Sequence, residues 1–323
     1  MLSIRSRAFA LGLALCAGLC LVLPSAAAAQ AGERVLTGHV VRKDSAIPGA
    51  RVTLHRVTAA ASGPVATATS AADGGFRFVL PPADTGFAVF FTTVDYLSVR
   101  YFGPPVHRDE PATDYRVAVY DTTSSLPGAV RTARRDLVLL PQTDGSWEVD
   151  EILRVRNSAD RTLVPHPGTP AWEFQLPTGA VDFETGEGDV AADQLRLVGD
   201  RVFLVTSVPP GDREVVVRYR LPAGVDASSI ALKDGADTMN VFIRQPAPEF
   251  TAAPLIARPP VAVDGENFLQ FSGTALKPGT TLALRWRAPA KLPVSPVVAG
   301  IGAALILLTL GTAAAIRNRG VPA

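Results

Sequence analysis

Residues 66–80 read ATATSAADGGFRFVL, and Asp73-Gly74-Gly75 falls between two runs whose apolar positions alternate. A period of two marks a strand with one buried face, and Asp-Gly between such runs signals a tight turn. The spacing predicts a hairpin here, with Phe76, Phe78 and Leu80 on one face. Similar punctuation recurs along the chain. The chain holds 27 prolines and 27 glycines, and those away from the two termini break the apolar runs before a helical period can develop. A chain divided this way folds as short strands joined by turns. The expected class is all-β.

The termini read differently. Arg5 and Arg7 precede an apolar run over residues 8–23, and small residues follow over 25–31. That is the pattern of a secretory signal peptide, here 1–31, with a cleavage point after Ala29 or Ala31. Cys16 and Cys20 are the chain's two cysteines and both lie in the apolar run, each preceded by leucine rather than by the small residues of a lipoprotein site. A mature chain would therefore carry no thiol and no disulfide. Near the other end, residues 297–316, bounded by Val297 and Ile316, carry no charge. Roughly 20 such residues at a 1.5 Å rise span the hydrocarbon core of a bilayer. Arg317 and Arg319 follow, and positive charge beside a span favours the cytoplasmic side, giving a tail over 317–323. The expected topology is a single-pass protein of a bacterial cytoplasmic membrane, its bulk in the periplasm or outside. With 31 Lys and Arg against 30 Asp and Glu, no broad basic field is available for nucleic acid.

Between these ends, alternating runs follow one another at 35–42, 51–57, 65–70, 76–80 and 87–93. The order of signals is Gly38, then Pro48-Gly49-Ala50-Arg51-Val52-Thr53-Leu54, then Ala66-Thr67, then Asp73-Gly74-Gly75-Phe76-Arg77-Phe78, then Pro81-Pro82. This order resembles the carboxypeptidase regulatory-like domain. The resemblance covers residues 34–107 and implies a seven-stranded, immunoglobulin- or transthyretin-like β-sandwich. It rests on turn glycines and core positions, so it implies a fold rather than an activity. In carboxypeptidases such a domain accompanies a zinc peptidase whose metal is held by a His-x-x-Glu pair and a distant histidine. One His-x-x-Glu match exists here, His107 to Glu110, in a proline-flanked join, and the next histidine is His166. No peptidase domain fits around it.

From residue 113 to 290 a second β-rich region is expected, following a boundary between 108 and 114. Its strands run at 115–122, 131–140, 147–157, 194–198, 202–206, 213–221, 239–244, 268–273 and 281–287. Hairpins are predicted across Thr143-Asp144-Gly145 and Gly199-Asp200. The region reads as one large sandwich or as two small ones divided near 245, where prolines cluster at Pro246 and Pro248.

Candidate chemistry is sparse. His39 and His55 fall on neighbouring predicted strands and could supply two metal ligands, against the plainer reading of surface histidines. Asp182, Glu184, Glu187 and Asp189 with two intervening glycines could gather oxygens for Ca²⁺, or form a solvated hairpin tip. Arg131, Arg134 and Arg135 form a basic cluster suited to phosphate headgroups or an anionic glycan, or to discouraging edge pairing. Trp147, Trp172 and Trp286, with Tyr96, Tyr101 and Phe102, are the aromatic side chains that could stack on sugars, or fill a core. No Gly-x-Ser-x-Gly elbow, Walker loop or dinucleotide fingerprint occurs, and no cofactor is expected. The sequence thus reads as a membrane-tethered, non-enzymatic binding or scaffold protein that presents β-sandwich modules to a protein partner. A carbohydrate or cell-wall binding module, and a cryptic hydrolase, are the alternatives.

Overall fold

A computed structural model describes residues 34–81, 88–107, 114–166 and 168–286. The signal peptide at 1–31, the span at 297–316, the tail at 317–323 and Glu110 lie outside the described residues. Strands carry 63% of the described residues, and the helical element among them is one 3-10 turn at Ala192–Gln194, so the fold is all-β. No described helix is long and apolar enough to cross a membrane.

The first unit is a sandwich of two sheets. One holds Val35–Arg42 between Ser45–Ala46 and Gly75–Val79, with Tyr115–Ala118 paired in parallel to Val35–Arg42. The other runs Ser62–Thr69, Arg51–Thr58, Ala88–Tyr96, Val99–Phe102, and Val106–His107 also pairs with Ala88–Tyr96. Alternate residues from both sheets, among them Leu36, Val52, Leu54, Phe76, Phe78 and Phe90, fill one core. Seven of these strands are four residues or longer, and Tyr115–Ala118 is one of them. Its Tyr115 and Val117 are buried in the first core, although the sequence pattern assigns them to the second region. Parallel pairing to a strand nearly eighty residues earlier leaves no local signal in the sequence.

The hairpin expected across Asp73-Gly74-Gly75 does not form. Ser62–Thr69 and Gly75–Val79 lie in different sheets, and the turn between them is an arch over the end of the sandwich. Asp73 Oδ1 accepts from the Gly75 N–H at 2.8 Å, and the Val40 N–H donates to the Gly74 carbonyl at 2.9 Å. Gly74 has φ +76°, and a Cβ there would lie 2.7 Å from the Val40 carbonyl oxygen. Glycine is required because the arch presses on the neighbouring strand.

Tyr115 crosses the sandwich. Its hydroxyl accepts from the Thr92 N–H at 3.1 Å and donates to the Pro104 carbonyl at 2.7 Å. Gly103 passes so close that a Cβ would lie 2.3 Å from the Tyr115 hydroxyl.

The second unit is built on a seven-stranded sheet. Its order is Val181–Thr185, Gly211–Leu221, Trp147–Asn157, Val130–Pro141, Ala236–Arg244, Glu266–Leu276, Ile256–Val263. Two three-stranded sheets contribute to the same core. One is Trp172–Gln175, Arg201–Leu204, Leu195–Val198, and the other is Ala227–Leu232, Thr280–Trp286, Phe250–Ala253. A single apolar cluster joins all three sheets, and strands on both sides of residue 245 share the large sheet.

That core contains a charge pair. Arg135 and Glu151 are 3% and 0% exposed and meet at 2.5 Å. The Arg135 guanidinium also donates to the Gln175 carbonyl at 2.7 Å and lies over the Phe174 ring, while the Tyr219 hydroxyl donates to Glu151 at 2.7 Å. Burial pushes the Tyr219 hydroxyl well above its ordinary pKa, with the Glu151 charge next in effect, so it remains a donor.

Two stability outcomes follow from these contacts. Arg135→Met strands a buried carboxylate and is expected to cost about 3–5 kcal/mol in urea unfolding, with most of the loss recovered in the Arg135→Met/Glu151→Leu double variant. Gly103→Ala forces overlap with Tyr115 and is expected to cost about 1–3 kcal/mol, whereas Gly63→Ala, in open space, changes stability far less.

Candidate functional site

The expected sites disperse. Arg131 forms a two-pronged contact with Asp237, Arg134 pairs with Asp136 at 2.6 Å, and Arg135 enters the core. A bulge between Thr132 and Arg134 resets the alternation, after which neighbouring Arg134 and Arg135 point to opposite faces of the sheet. The basic cluster therefore does not exist as a surface patch.

The four carboxylates do not converge either. Asp182 pairs with Arg220 at 2.6 Å, and Asp189 accepts from the Glu214 N–H at 2.9 Å. Glu184 sits opposite Arg218 in the ladder, and Gly186 and Gly188 press the intervening loop against Val216. Among the described residues no three His, Cys, Asp or Glu side chains are placed to hold a metal. His39 and His55 lie on different sheets, and His107 and His166 are exposed in separate loops or edges.

Trp147, Trp172 and Trp286 are core residues. Trp147 packs edge-on to Trp286 at 5.9 Å, and Trp172 stacks on Phe174 at 5.2 Å. Tyr101 is buried as well, and Tyr96 is half-buried. Of the aromatic candidates, Phe102 alone is open to solvent, at 63% exposure.

Phe102 marks a surface that the sequence pattern does not reveal. Ala88–Tyr96 and Val99–Phe102 form a hairpin whose two loop residues, Leu97 and Ser98, have φ of +48° and +61°. Positive φ at both positions is the type I′ geometry that matches strand twist. Here it is imposed on a leucine, which ordinarily avoids that region, and Leu97 is 51% exposed. Tyr96 and Val99 close the loop, so hydrogen-bonded pairs alternate from there. The Gly103 N–H donates to the Thr92 carbonyl at 2.8 Å, which keeps the same phase. The backbone groups of Val99 and Tyr101 thus serve the hairpin, while those of Arg100 and Phe102 point to the open edge. No other described strand pairs there.

The outward side chains continue this surface. His55 stacks on Phe91 at 4.9 Å and 5°, and Phe91 lies 6.1 Å from Phe102, so three rings run across the sheet face. His55 Nε2 is 3.0 Å from the Thr93 hydroxyl, and burial, with the nearby Arg100 charge, lowers the imidazole's pKa. Arg100 donates to both Asp95 oxygens, at 2.8 and 3.2 Å. That hydrogen bond is the chief cause holding the Asp95 carboxyl below the usual carboxylate range.

The edge faces the second unit across a cleft of about 680 Å³. Val190, Leu204, Val208 and Arg213 line the far wall. Arg213 is half-buried, and no ion pair engages it among the described residues. The two walls are joined beside the cleft. The Tyr101 hydroxyl donates to the Tyr120 carbonyl at 3.1 Å and lies 2.8 Å from the Thr162 hydroxyl, and Arg42 pairs with Asp121 at 3.0 Å. Tyr101 therefore positions the edge rather than contacting a ligand.

No family model matches this chain, and no curated protein does. Among solved structures it aligns with an M1 zinc metallopeptidase of Deinococcus radiodurans, at 14% identity and a TM-score of 0.31, over 49% of this chain and 42% of that one. It also aligns with the major pilin subunit BcpA of Bacillus cereus, at 12% identity and a TM-score of 0.17, over 78% and 85% of the two chains. The chain spans less than half the length of the metallopeptidase. Scores of this size establish neither a common fold nor a common activity.

The Asp95–Arg100 contact makes the hairpin tip sensitive to acid. A carboxyl whose folded pKa is lowered stabilises above the unfolded value, about 3.9, and loses that contribution as pH falls through its folded value. Asp95→Asn should therefore be less stable than the parent at neutral pH, and the two melting curves should converge as pH drops below about 3.9.

Proposed function

We propose that the protein is a membrane-tethered extracytoplasmic adaptor that holds an extended segment of a partner protein along the Val99–Phe102 edge. The observation that carries this reading is the open edge itself, with Phe102 exposed beside it in a cleft shared by two sandwiches. Strand addition uses the free backbone groups of Arg100 and Phe102 for affinity and pockets for alternate side chains for specificity. Each backbone hydrogen bond adds about 0.5–1.5 kcal/mol net, so the backbone alone is a weak handle. Covering Phe102 adds a contribution of the size of a buried aromatic, up to about 3 kcal/mol. Arg213 on the opposite wall, which has no ion-pair partner among the described residues, favours a segment carrying a carboxylate next to an apolar residue.

On this reading the first sandwich is a carboxypeptidase regulatory-like module that serves for docking. The signal peptide and the span at residues 297–316 would keep it on the outer face of a bacterial cytoplasmic membrane. A sugar platform finds less support, because all three tryptophans are internal.

The test is a detergent pull-down of full-length protein from its native membrane, comparing parent, Arg100→Pro, Phe102→Ser and Val79→Ser. Proline at 100 removes an outward N–H and leaves the hairpin ladder intact. Val79 is exposed on the other sheet. A stoichiometric protein retained by the parent and Val79→Ser but reduced at least about tenfold by both edge variants is the expected result. Equal retention by all four proteins would reject the edge as the docking site.

A further inference from the structure

A second surface, whose lining shares no residue with the cleft beside the Val99–Phe102 edge, has the character of a small-molecule site. It lies on the outer face of the three-stranded sheet formed by Trp172–Gln175, Arg201–Leu204 and Leu195–Val198. In the central strand, Val202 and Leu204 point into the core, so Phe203 is turned outward, where it is half-buried. Its cross-strand neighbours are Arg196 on one side and Glu173 on the other. Val198, on the same outward face, is 57% exposed. The rest of that outward face is polar, as is usual, with Arg196, Arg201, Glu173 and Gln175, so Phe203 and Val198 form an apolar strip among charged side chains.

This face is not flat. Pro165, His166 and Pro170 stand beside it and close one side of a cavity of about 610 Å³, within the range of small-ligand pockets. The Ala171 N–H donates to the Leu204 carbonyl at 2.9 Å, and Val164 is tied to Thr123 and Leu163 to Val208 by backbone hydrogen bonds. Both flanks of the wall are thus anchored to the framework.

The charge pattern separates this cavity from its surroundings. On the same sheet face Arg201 lies 3.9 Å from Glu173, which also pairs with Lys233. Among the described residues no carboxylate pairs with Arg196 and none lines the cavity, and His166 adds a second nitrogen-bearing side chain to its rim. A guanidinium left unpaired beside an apolar floor presents a rigid fork suited to a carboxylate.

We propose that this cavity binds a small carboxylate carrying an apolar, preferably aromatic, body. The carboxylate is held by Arg196, with His166 at the rim, and the apolar body lies over Phe203 and Val198 between Pro165 and Pro170. The proposal is independent of the adaptor reading, since it shares no residue with the cleft.

Isothermal titration of the full-length protein with 3-phenylpropionate, 3-phenylpropan-1-ol and propionate tests it. The first probe has both the charge and the ring, the second lacks the charge, and the third lacks the ring. The expected result is that 3-phenylpropionate binds at least about tenfold more tightly than either relative. Arg196→Gln should abolish its advantage over the alcohol, and Val198→Ser should narrow its advantage over propionate. Both side chains are exposed, so neither change threatens folding, which matching melting temperatures would verify. Arg100→Pro, in the other site, should leave the titration unchanged. The proposal is overturned if 3-phenylpropionate does not bind, if the alcohol binds as well as the acid, or if Arg196→Gln binds the acid with parental affinity.

Discussion

The buried Arg135–Glu151 contact is the constraint around which the larger unit is arranged. Two opposite charges taken out of water are tolerable only where each finds its partner and its remaining polar atoms are served. Here the partners come from adjacent strands of the seven-stranded sheet, and the remaining bonds reach outside that pair, to Gln175 of the facing three-stranded sheet and to Tyr219 of the next strand. The pair therefore fixes register along the large sheet and spacing across the sandwich together. A one-residue slip of either strand would turn its whole core-facing set to the opposite face and strand both charges.

A second set of polar contacts does comparable work in the smaller unit. Tyr115 joins the two sheets of the first sandwich, and Tyr101 joins that sandwich to the second unit through Tyr120 and Thr162. Each ring contributes apolar area inside the fold and spends its hydroxyl on a backbone or hydroxyl group that burial would otherwise leave unpaired. The outcome is a strand edge tied by hydrogen bonds opposite the wall of the second unit. Recognition by an edge depends on such ties, because a mobile strand would have to be ordered again on binding.

Much of the fold could be read from the chain. The strands at 130–141 and 147–157 and the turn at Asp144-Gly145 follow from alternation and from glycine's tolerance of positive φ, and Gly145 has φ +87°. What failed was partner choice. Asp73-Gly74 looks like Asp144-Gly145 locally, but one turn arches between sheets and the other closes a hairpin. Ser62–Thr69 pairs with Arg51–Thr58, the strand before it, whereas Gly75–Val79 takes as its partner Val35–Arg42, two strands further back in the chain. The site residues were less legible still. Tyr96, Tyr101 and Phe102 are close neighbours, yet alternation and core packing expose only Phe102. Phe91 gives no signal in the sequence, and His55 reads there only as a candidate metal ligand beside His39, because the two rings meet only when their strands pair.

The sequence by itself determined that this is a chain of short strands with apolar ends, because period-two alternation and the conformational limits of proline and glycine act over a few residues at a time. Tertiary structure alone decided that Arg135 rather than Arg134 turns into the larger core, that Tyr115 belongs to the first core, and that Arg100 and Phe102 turn their backbone outward. Each of those outcomes depends on which strand lies alongside, on a bulge that shifts the phase, or on where a sheet stops. Burial and pairing are properties of the assembled sheets, and no window of sequence contains them.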